Sequence, residues 1–297
     1  MANLRDIRVR MKTIAQTLKV TNAMNLISTA KLRKGRRLLA DTEPYFNRIQ
    51  KTMAELLRSA GRVESQYFAK DGTGAGRTAV IAVTSDKGLA GGYNASVFHY
   101  VMDVCKKVSN PVLVLIGNIG QRYFVNTPYI VLENFSFASR MPDLEEAQEI
   151  AEYVISQFTW GVFSEVRIVY THMYSMMKLQ PAESVVLPFD IEKMSRVSPD
   201  SAFSEVEQQK PLNFEYIPSP EGVFDALAPQ YITGLIYGCL VEAYASEQNA
   251  RMSAMDEASK NASDILAKQQ LLYNHVRQAA ITQEVTEIVS GASALMG

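Results

Sequence analysis

Apolar residues near the start of the chain recur at steps of three and four. Leu4, Ile7, Met11, Ile14 and Leu18 form the a/d seam of a heptad pattern, which predicts a long helix over residues 1–60. The pattern then slips in register and resumes at Met24 and Ile27. Leu38, Tyr45, Ile49 and Leu56 recover heptad spacing, with Thr42 and Thr52 in weak positions. Pro44 is expected to bend the helix, because it lacks a backbone donor and crowds the preceding turn. Gly61 is expected to end it. A second seam runs through Met252, Met255, Ala262, Leu266, Tyr273, Val276 and Ala280, interrupted by Ser259 and Gln269. None of the eleven prolines falls in 1–43 or in 230–297. A helix from Gln230 to the end would be about 100 Å long. No domain of this size encloses such a helix, so it needs a partner along its length, and the N-terminal helix is the candidate within the chain. Together they predict a long antiparallel coiled coil. The C-terminal helix is the longer, so its last turns are expected to project alone.

Between the two helical ends the period changes. Thr78–Thr84, Val112–Ile116, Tyr129–Leu132 and Glu165–Thr171 read as strands, and Glu183–Phe189 as a more extended one. Helical periodicity covers Asn94–Lys107, Asn118–Val125 and Asp143–Phe158. Continuous apolar strands alternating with helices predict an α/β domain with a doubly wound, mostly parallel sheet. The expected organisation is a coiled-coil helix over 1–60, an α/β (Rossmann-like) domain over 76–192, a loop and return segment over 193–219, and a second coiled-coil helix over 220–297. Gly72–Gly76 reads as a linker, and residues 192–211, rich in Ser, Pro, Gln and charge, as an exposed loop.

Composition sharpens this only locally. The net charge of −1 argues against a general nucleic-acid binder. Residues 1–40, however, hold ten Lys or Arg against the single acid Asp6, and such an excess needs a partner or abundant solvent. Cys105 and Cys239 fit no motif, and two buried thiols in a reducing compartment is preferred to one disulfide. No apolar run reaches the length of a membrane span. The Arg-rich, amphipathic N-terminus is read as structural, not as a transit peptide, with Met1 expected to be unprocessed and the source bacterial.

Candidate chemistry is sparse. Ser85-Asp-Lys-Gly-Leu-Ala-Gly-Gly-Tyr-Asn94 follows the first strand and opens a helix, where phosphate loops sit. Yet Lys87 precedes the glycines and Tyr-Asn follows them, whereas a phosphate loop ends in Gly-Lys-Ser/Thr. Gly72, Gly74 and Gly76 precede the strand, the wrong order for a dinucleotide turn. The preferred reading is a tight turn needing positive φ at Gly88, Gly91 or Gly92. His99, His172 and His275 lack ligand spacing. Asp143, Glu145 and Glu146 open a helix, where acids favour the positive end of the dipole. No catalytic residue, cofactor or metal is expected. On periodicity alone, a coiled-coil scaffold fits better than a motor part.

Several segments go further. Thr17-Leu-Lys-Val-Thr-Asn-Ala-Met24 with Ala30-Lys-Leu-Arg33, the Ser85–Asn94 loop, Ser246-Glu-Gln-Asn-Ala-Arg-Met252 and Ala258-Ser-Lys-Asn-Ala262 resemble the gamma subunits of F-type ATP synthases. Arg277-Gln-Ala-Ala-Ile-Thr-Gln-Glu-Val-Thr-Glu-Ile-Val-Ser-Gly-Ala292 is similar to that family's signature. The resemblance spans nearly the whole chain. It implies a central-stalk rotor, without catalysis of its own, that couples ion-driven rotation of the c ring to conformational change in the catalytic beta subunits. It also implies influence on ATPase activity and proton flow. Partners implied are three alpha and three beta subunits, epsilon and the c ring, with neither a homodimer nor nucleic acid. The implied location is peripheral, on the cytoplasmic face of the bacterial inner membrane. Lys31, Arg33, Lys34, Arg36 and Arg37 match the family's basic contacts to acidic beta loops. Arg277, Gln278, Thr282, Glu284 and Glu287 match its polar contacts. Met24 matches a position at the helix–helix seam, to which heptad spacing also assigns Met252, Met255 and Leu266, and in such a rotor the apolar end with Ile288, Val289 and Leu295 suits a smooth bearing tip. Asn22 and Ser28-Thr29 depart from the family pattern, so slightly different seam packing is expected. No cysteine pair supports the thiol switch of plastid relatives. The alternative is a non-motor coiled-coil adaptor.

Overall fold

A computed structural model describes residues 4–60, 63–68, 76–136, 141–191, 194 and 216–296, with side chains through residue 292. The elements, in chain order, are α1 (Leu4–Ala60), β1 (Arg77–Val83), α2 (Tyr93–Lys107), β2 (Pro111–Ile116), α3 (Asn118–Phe124), β3 (Ile130–Phe135), α4 (Leu144–Thr159), β4 (Phe163–Ser175), β5 (Lys178–Leu187) and α5 (Pro220–Met296). The chain divides into two compact units, residues 1–29 with 251–297 and residues 30–250. Both long helices contribute to both units.

In the larger unit five strands form one sheet in the order β3-β2-β1-β4-β5. β1 pairs in parallel with β2 and β4, β2 in parallel with β3, and β4 antiparallel with β5. Alternate residues of a strand face opposite sides, and both sides here are apolar. Val80, Ala82, Leu113, Leu115 and Val169 pack against Val97, Val101, Val104 and Cys105 of α2 and Phe124 of α3. Ala79, Ile81, Val83, Val112, Val114, Val166 and Ile168 face the other way, toward Ala147, Ile150 and Val154 of α4. That second core also takes in Ile49, Met53 and Leu56 of α1 and Phe224, Ala228, Ile232 and Ile236 of α5. Helices on both faces of a mostly parallel sheet make the expected doubly wound fold. Each fully buried Leu, Ile or Phe contributes about 1.5–3 kcal/mol.

The helix termini are specified locally. Asp143 caps α4: its carboxylate accepts from the Glu146 N–H at 2.9 Å, while Glu146 accepts from the Asp143 N–H at 3.3 Å. This capping box accounts for the acids there without chemistry. α5 opens with Ser219, whose Oγ accepts from the Gly222 N–H at 3.1 Å, followed by Pro220 in the first turn.

The expected seam of α1 is corrected. The heptad register does not slip: the inward positions run Ile7, Met11, Ile14, Leu18, Thr21, Asn25, Ser28, Leu32, Gly35, Leu39, Thr42, Phe46, Ile49, Met53 and Leu56, all buried or half-buried. Small and polar residues occupy the seam where apolar ones were sought, and Ile27 is 56% exposed. Tyr45 is likewise 57% exposed, and Phe46 takes the inward place. α1 also continues through Pro44 to Ala60 as one helix, and α5 through Pro229. Gly61, residues 69–75 (all of the expected linker except Gly76) and most of 192–211 lie outside the described residues.

Within the larger unit α1 and α5 run antiparallel and approach closely. Gln50 donates to Tyr231 Oη at 3.3 Å, and Tyr45 donates to Gln230 Oε1 at 3.3 Å. The backbone of Gly234 lies under the Phe46 ring, so close that an added Cβ would stand 1.9 Å from a ring carbon. Gly234→Ala is therefore expected to destabilise the purified chain by about 1–3 kcal/mol, the usual cost of overpacking, in urea denaturation. Adding Phe46→Ala should remove the clash, so the double variant should lose less than the two single losses added.

Candidate functional site

A doubly wound sheet binds ligands at the carboxyl ends of its strands, where the strand order reverses. Here that point lies between β1 and β4, and the loop after β1 is Thr84–Gly92. The chain fills it with its own groups. The Asn94 Oδ1 accepts from the Ser85 N–H at 3.1 Å, and Asn94 Nδ2 donates to Ser85 Oγ at 2.6 Å. Ser85 Oγ donates to the Lys87 carbonyl at 3.0 Å. The Asp86 carboxylate accepts from the backbone N–H and the Nδ2 of Asn118, both at 3.0 Å. An anion at the start of α3 is thus supplied from within, by Asp86.

Behind the loop, Thr84 Oγ1 donates to the Ile116 carbonyl at 2.7 Å and accepts from the Gly120 N–H at 3.1 Å. Gly117 has φ +97°, and a Cβ there would meet the Thr84 carbonyl oxygen at 2.3 Å. A positive φ is expected at Gly88, Gly91 or Gly92, and Gly91 has it, at +57°. Leu89, which no turn rule singles out, also has φ +65°, and its side chain is 64% exposed. The loop is a self-bonded turn with an apolar residue at its outside. Among the described residues no group of three or more His, Cys, Asp and Glu side chains could hold a metal ion.

A polar constellation does exist where α5 meets the β4–β5 hairpin. Glu242 Oε1 accepts from the Met173 N–H at 3.2 Å and lies against His172 Nδ1. Ser246 Oγ donates to the Thr171 carbonyl at 2.9 Å, and Asn249 Nδ2 to the Met176 carbonyl at 2.7 Å. Residues 242, 246 and 249 share one helix face. The Ser246–Met252 motif thereby acquires a physical role: it ties the hairpin to the long helix, with Ser246 and Asn249 essentially fully buried. Spacing along the sequence could have suggested a polar face there, but not what it meets.

The basic residues Lys31, Arg33, Lys34, Arg36 and Arg37 flank the buried pair Leu32 and Gly35, all in the larger unit. Lys31 is half-buried and the others are exposed. Arg37 pairs with Asp41 at 3.7 Å, both well solvated. In the smaller unit Met255 and Ala262 are buried, and Met252, Leu266, Tyr273, Val276 and Ala280 half-buried. Met24 is half-buried beside Asn25. Beyond Ala280 every described side chain of α5 is exposed, including Thr282, Glu284, Glu287, Ile288 and Val289, as are Arg277 and Gln278 just before. The Leu295 side chain lies outside the described residues. Local bonds run along this tip: Thr282 Oγ1 donates to the Gln278 carbonyl at 2.9 Å, and Gln283 Nε2 to Glu287 Oε1 at 2.9 Å.

Residues 3–295 match the family model described as ATP synthase. The ATP synthase gamma chain of Acetivibrio thermocellus is 40% identical over 296 residues, covering 99% of this chain and all of that one. The chain belongs to the ATP synthase gamma chains. Its fold is similar to that of a chain in the Euglena gracilis mitochondrial ATP synthase (TM-score 0.64, 14% identity, 98% of this chain and 94% of that one). It is also similar to a chain of the Tetrahymena thermophila mitochondrial ATP synthase central stalk and c-ring (TM-score 0.57, 19% identity, 81% and 99%). The chain is thus a subunit of an ATP synthase, a membrane-associated complex. Among the described residues no helix is long and apolar enough to cross a membrane.

The two thiols fit a structural role. Burial pushes Cys105 up to about 11, and pushes Cys239 higher still, with the Glu242 charge adding to it. Neither should react with a thiol reagent in the folded chain at pH 8, and both should react after unfolding. A raised folded pKa keeps the thiol neutral, so the Cys105 contribution is complete below the unfolded value of about 8.5. It is lost as pH rises toward about 11. Stability measured by denaturation should fall across that window, and Cys105→Ala should flatten the fall.

Proposed function

We propose that this chain is the central rotor shaft of an F-type ATP synthase. The observation that carries the reading is the mismatch in helix length. α1 covers α5 only as far as Ala280, and the next turns of α5 are solvent-exposed on every side. A bare helix tip of mixed small, apolar and polar residues stands alone only where something outside the chain surrounds it. A ring of three alpha and three beta subunits is such a surround. The small, apolar residues about Ile288 and Val289 suit a bearing, because apolar contacts have no preferred direction. Arg277, Gln278, Thr282, Glu284 and Glu287, and the cluster Lys31, Arg33, Lys34, Arg36 and Arg37, suit the opposite task, gripping beta loops so that torque is passed on. The α/β domain meets epsilon and the c ring. In this reading the chain has no catalytic step of its own, and its self-filled loop at Ser85–Asn94 supports that. It regulates ATPase activity and proton flow by coupling the two, at the cytoplasmic face of a bacterial inner membrane.

Native mass spectrometry of complexes released gently from source membranes tests the assembly. The expected species holds three alpha, three beta and one copy of this chain. A homodimer without them would overturn the rotor reading in favour of a coiled-coil adaptor. Grip is tested by reversing the charges of Lys31, Arg33, Lys34, Arg36 and Arg37 together. ATPase turnover or proton pumping should change, and normal values of both would make the cluster a solvated face.

A further inference from the structure

The seam of the smaller unit is not apolar throughout. Along α1 it reads Ile7, Met11, Ile14 and Leu18, and then Thr21, Asn25 and Ser28. Thr21 is 7% exposed and Ser28 1%. Three consecutive seam positions are therefore polar or hydroxylic, and two of them meet matching groups on α5. Ser259 Oγ donates to Thr21 Oγ1 at 2.7 Å, and Thr21 Oγ1 donates in turn to the Leu18 carbonyl at 3.1 Å. Asn25 Nδ2 donates to the Met252 carbonyl at 3.3 Å. Farther toward the N-terminus of α1, Arg8 donates to Tyr273 Oη at 2.7 Å, with its guanidinium over the ring.

An apolar seam holds two helices together without saying where along each other they stand. A slide of one heptad, about 10 Å, carries apolar side chains back onto apolar side chains. The polar layer survives no such slide. Thr21 would then face Met252 or Leu266, side chains that cannot replace Ser259, so the Thr21–Ser259 hydrogen bond is lost in either direction, and an unmet polar group at the seam is costly. Polar residues at single seam positions specify register in coiled coils at some expense of stability.

We propose that Thr21, Asn25 and Ser259 are a register lock for the α1–α5 pair, and that this lock keeps the two helices from shearing along each other when torque is passed through them. The torque clause rests on the rotor reading, whereas the lock stands without it. These are positioning residues: they act through the relative placement of two helices. The arrangement also gives a reason for polar residues at Thr21 and Asn25, where the heptad pattern calls for apolar ones.

Two readouts on the assembled complex test this. The first is register. Leu18→Cys and Ala262→Cys each lie three residues outward from the Thr21–Ser259 pair, and their oxidative cross-link reports the native alignment. In a background of Thr21→Val, Asn25→Leu and Ser259→Ala, that cross-link should fall relative to the native background. The ratio of native to slipped alignment should fall by about fivefold, as loss of one hydrogen bond's net worth implies. Cross-linking of Leu18→Cys to Met255→Cys or Gln269→Cys, one heptad to either side, should rise. An unchanged cross-link overturns the lock. If the triple background fails to assemble, Ser259→Ala alone is read by the same cross-link, with the same two outcomes. The second readout is protons moved per ATP hydrolysed in vesicles. It should fall in the apolar background and be kept by Thr21→Ser with Ser259→Thr, which retains a hydroxyl on each helix. A shifted cross-link with normal coupling keeps the lock and overturns its role in torque. Failure of the rotor reading is distinguishable, because it appears as absence of alpha and beta subunits while the register result stands.

Discussion

The alternation of three and four residues along α1, unbroken from Ile7 to Leu56, is the constraint from which the rest follows. A stripe with that period faces one direction along the helix and must be covered. α5 covers it, running antiparallel, and the close approach of Gly234 to Phe46 requires that one helix lack a side chain at that level. The same two helices also provide one wall of the larger core, through Ile49, Met53 and Leu56 on one side and Phe224, Ala228 and Ile232 on the other. The sheet is therefore built against the helices and not merely joined to them.

The α/β domain has the architecture that in many proteins cradles a nucleotide, and it has turned that place to another use. Asp86 occupies the start of α3, Asn94 closes onto Ser85, and Thr84 is held between Ile116 and Gly120. The backbone donors of Ser85 and Asn118, which could have met a phosphate, meet other parts of the chain. Fold alone licenses no activity, and the point at which the strand order reverses shows it here. Glu242, Ser246 and Asn249 use the same economy, satisfying backbone groups of the β4–β5 hairpin from one face of α5.

Long periodic segments are readable because a helix leaves a mark at every third or fourth residue. The strands are readable because a doubly covered sheet needs unbroken apolar runs, as in Val112–Ile116. The misreadings lie on the α1 seam. Ile27 and Tyr45 are apolar or aromatic and by pattern belong inward, whereas Ser28 and Phe46 point inward in the structure. At Ser28 side-chain polarity misleads because two helices approach closely and a small residue packs better there than a large one, whereas at Phe46 two adjacent aromatics leave the inward choice to the register of the helix. β4 and β5 run on beyond the strands read in the sequence, into a hairpin whose residues Tyr174–Lys178 are exposed, so their apolar character there does not mark burial.

By itself the sequence determined the elements, their order, the antiparallel pairing of the two ends and the excess length of the last helix, all of which follow from periodicity and proline placement. It also determined family membership, through motifs long enough to be specific. Only the tertiary structure decided the strand order, which depends on where each crossover lands. It alone decided the true seam, because burial there is a property of the opposing helix. And it alone revealed that Thr21 meets Ser259, that Asn249 meets the Met176 carbonyl and that Asp86 meets Asn118. Hydrogen bonds between residues far apart in the chain depend on distance in space, which one-dimensional spacing does not carry.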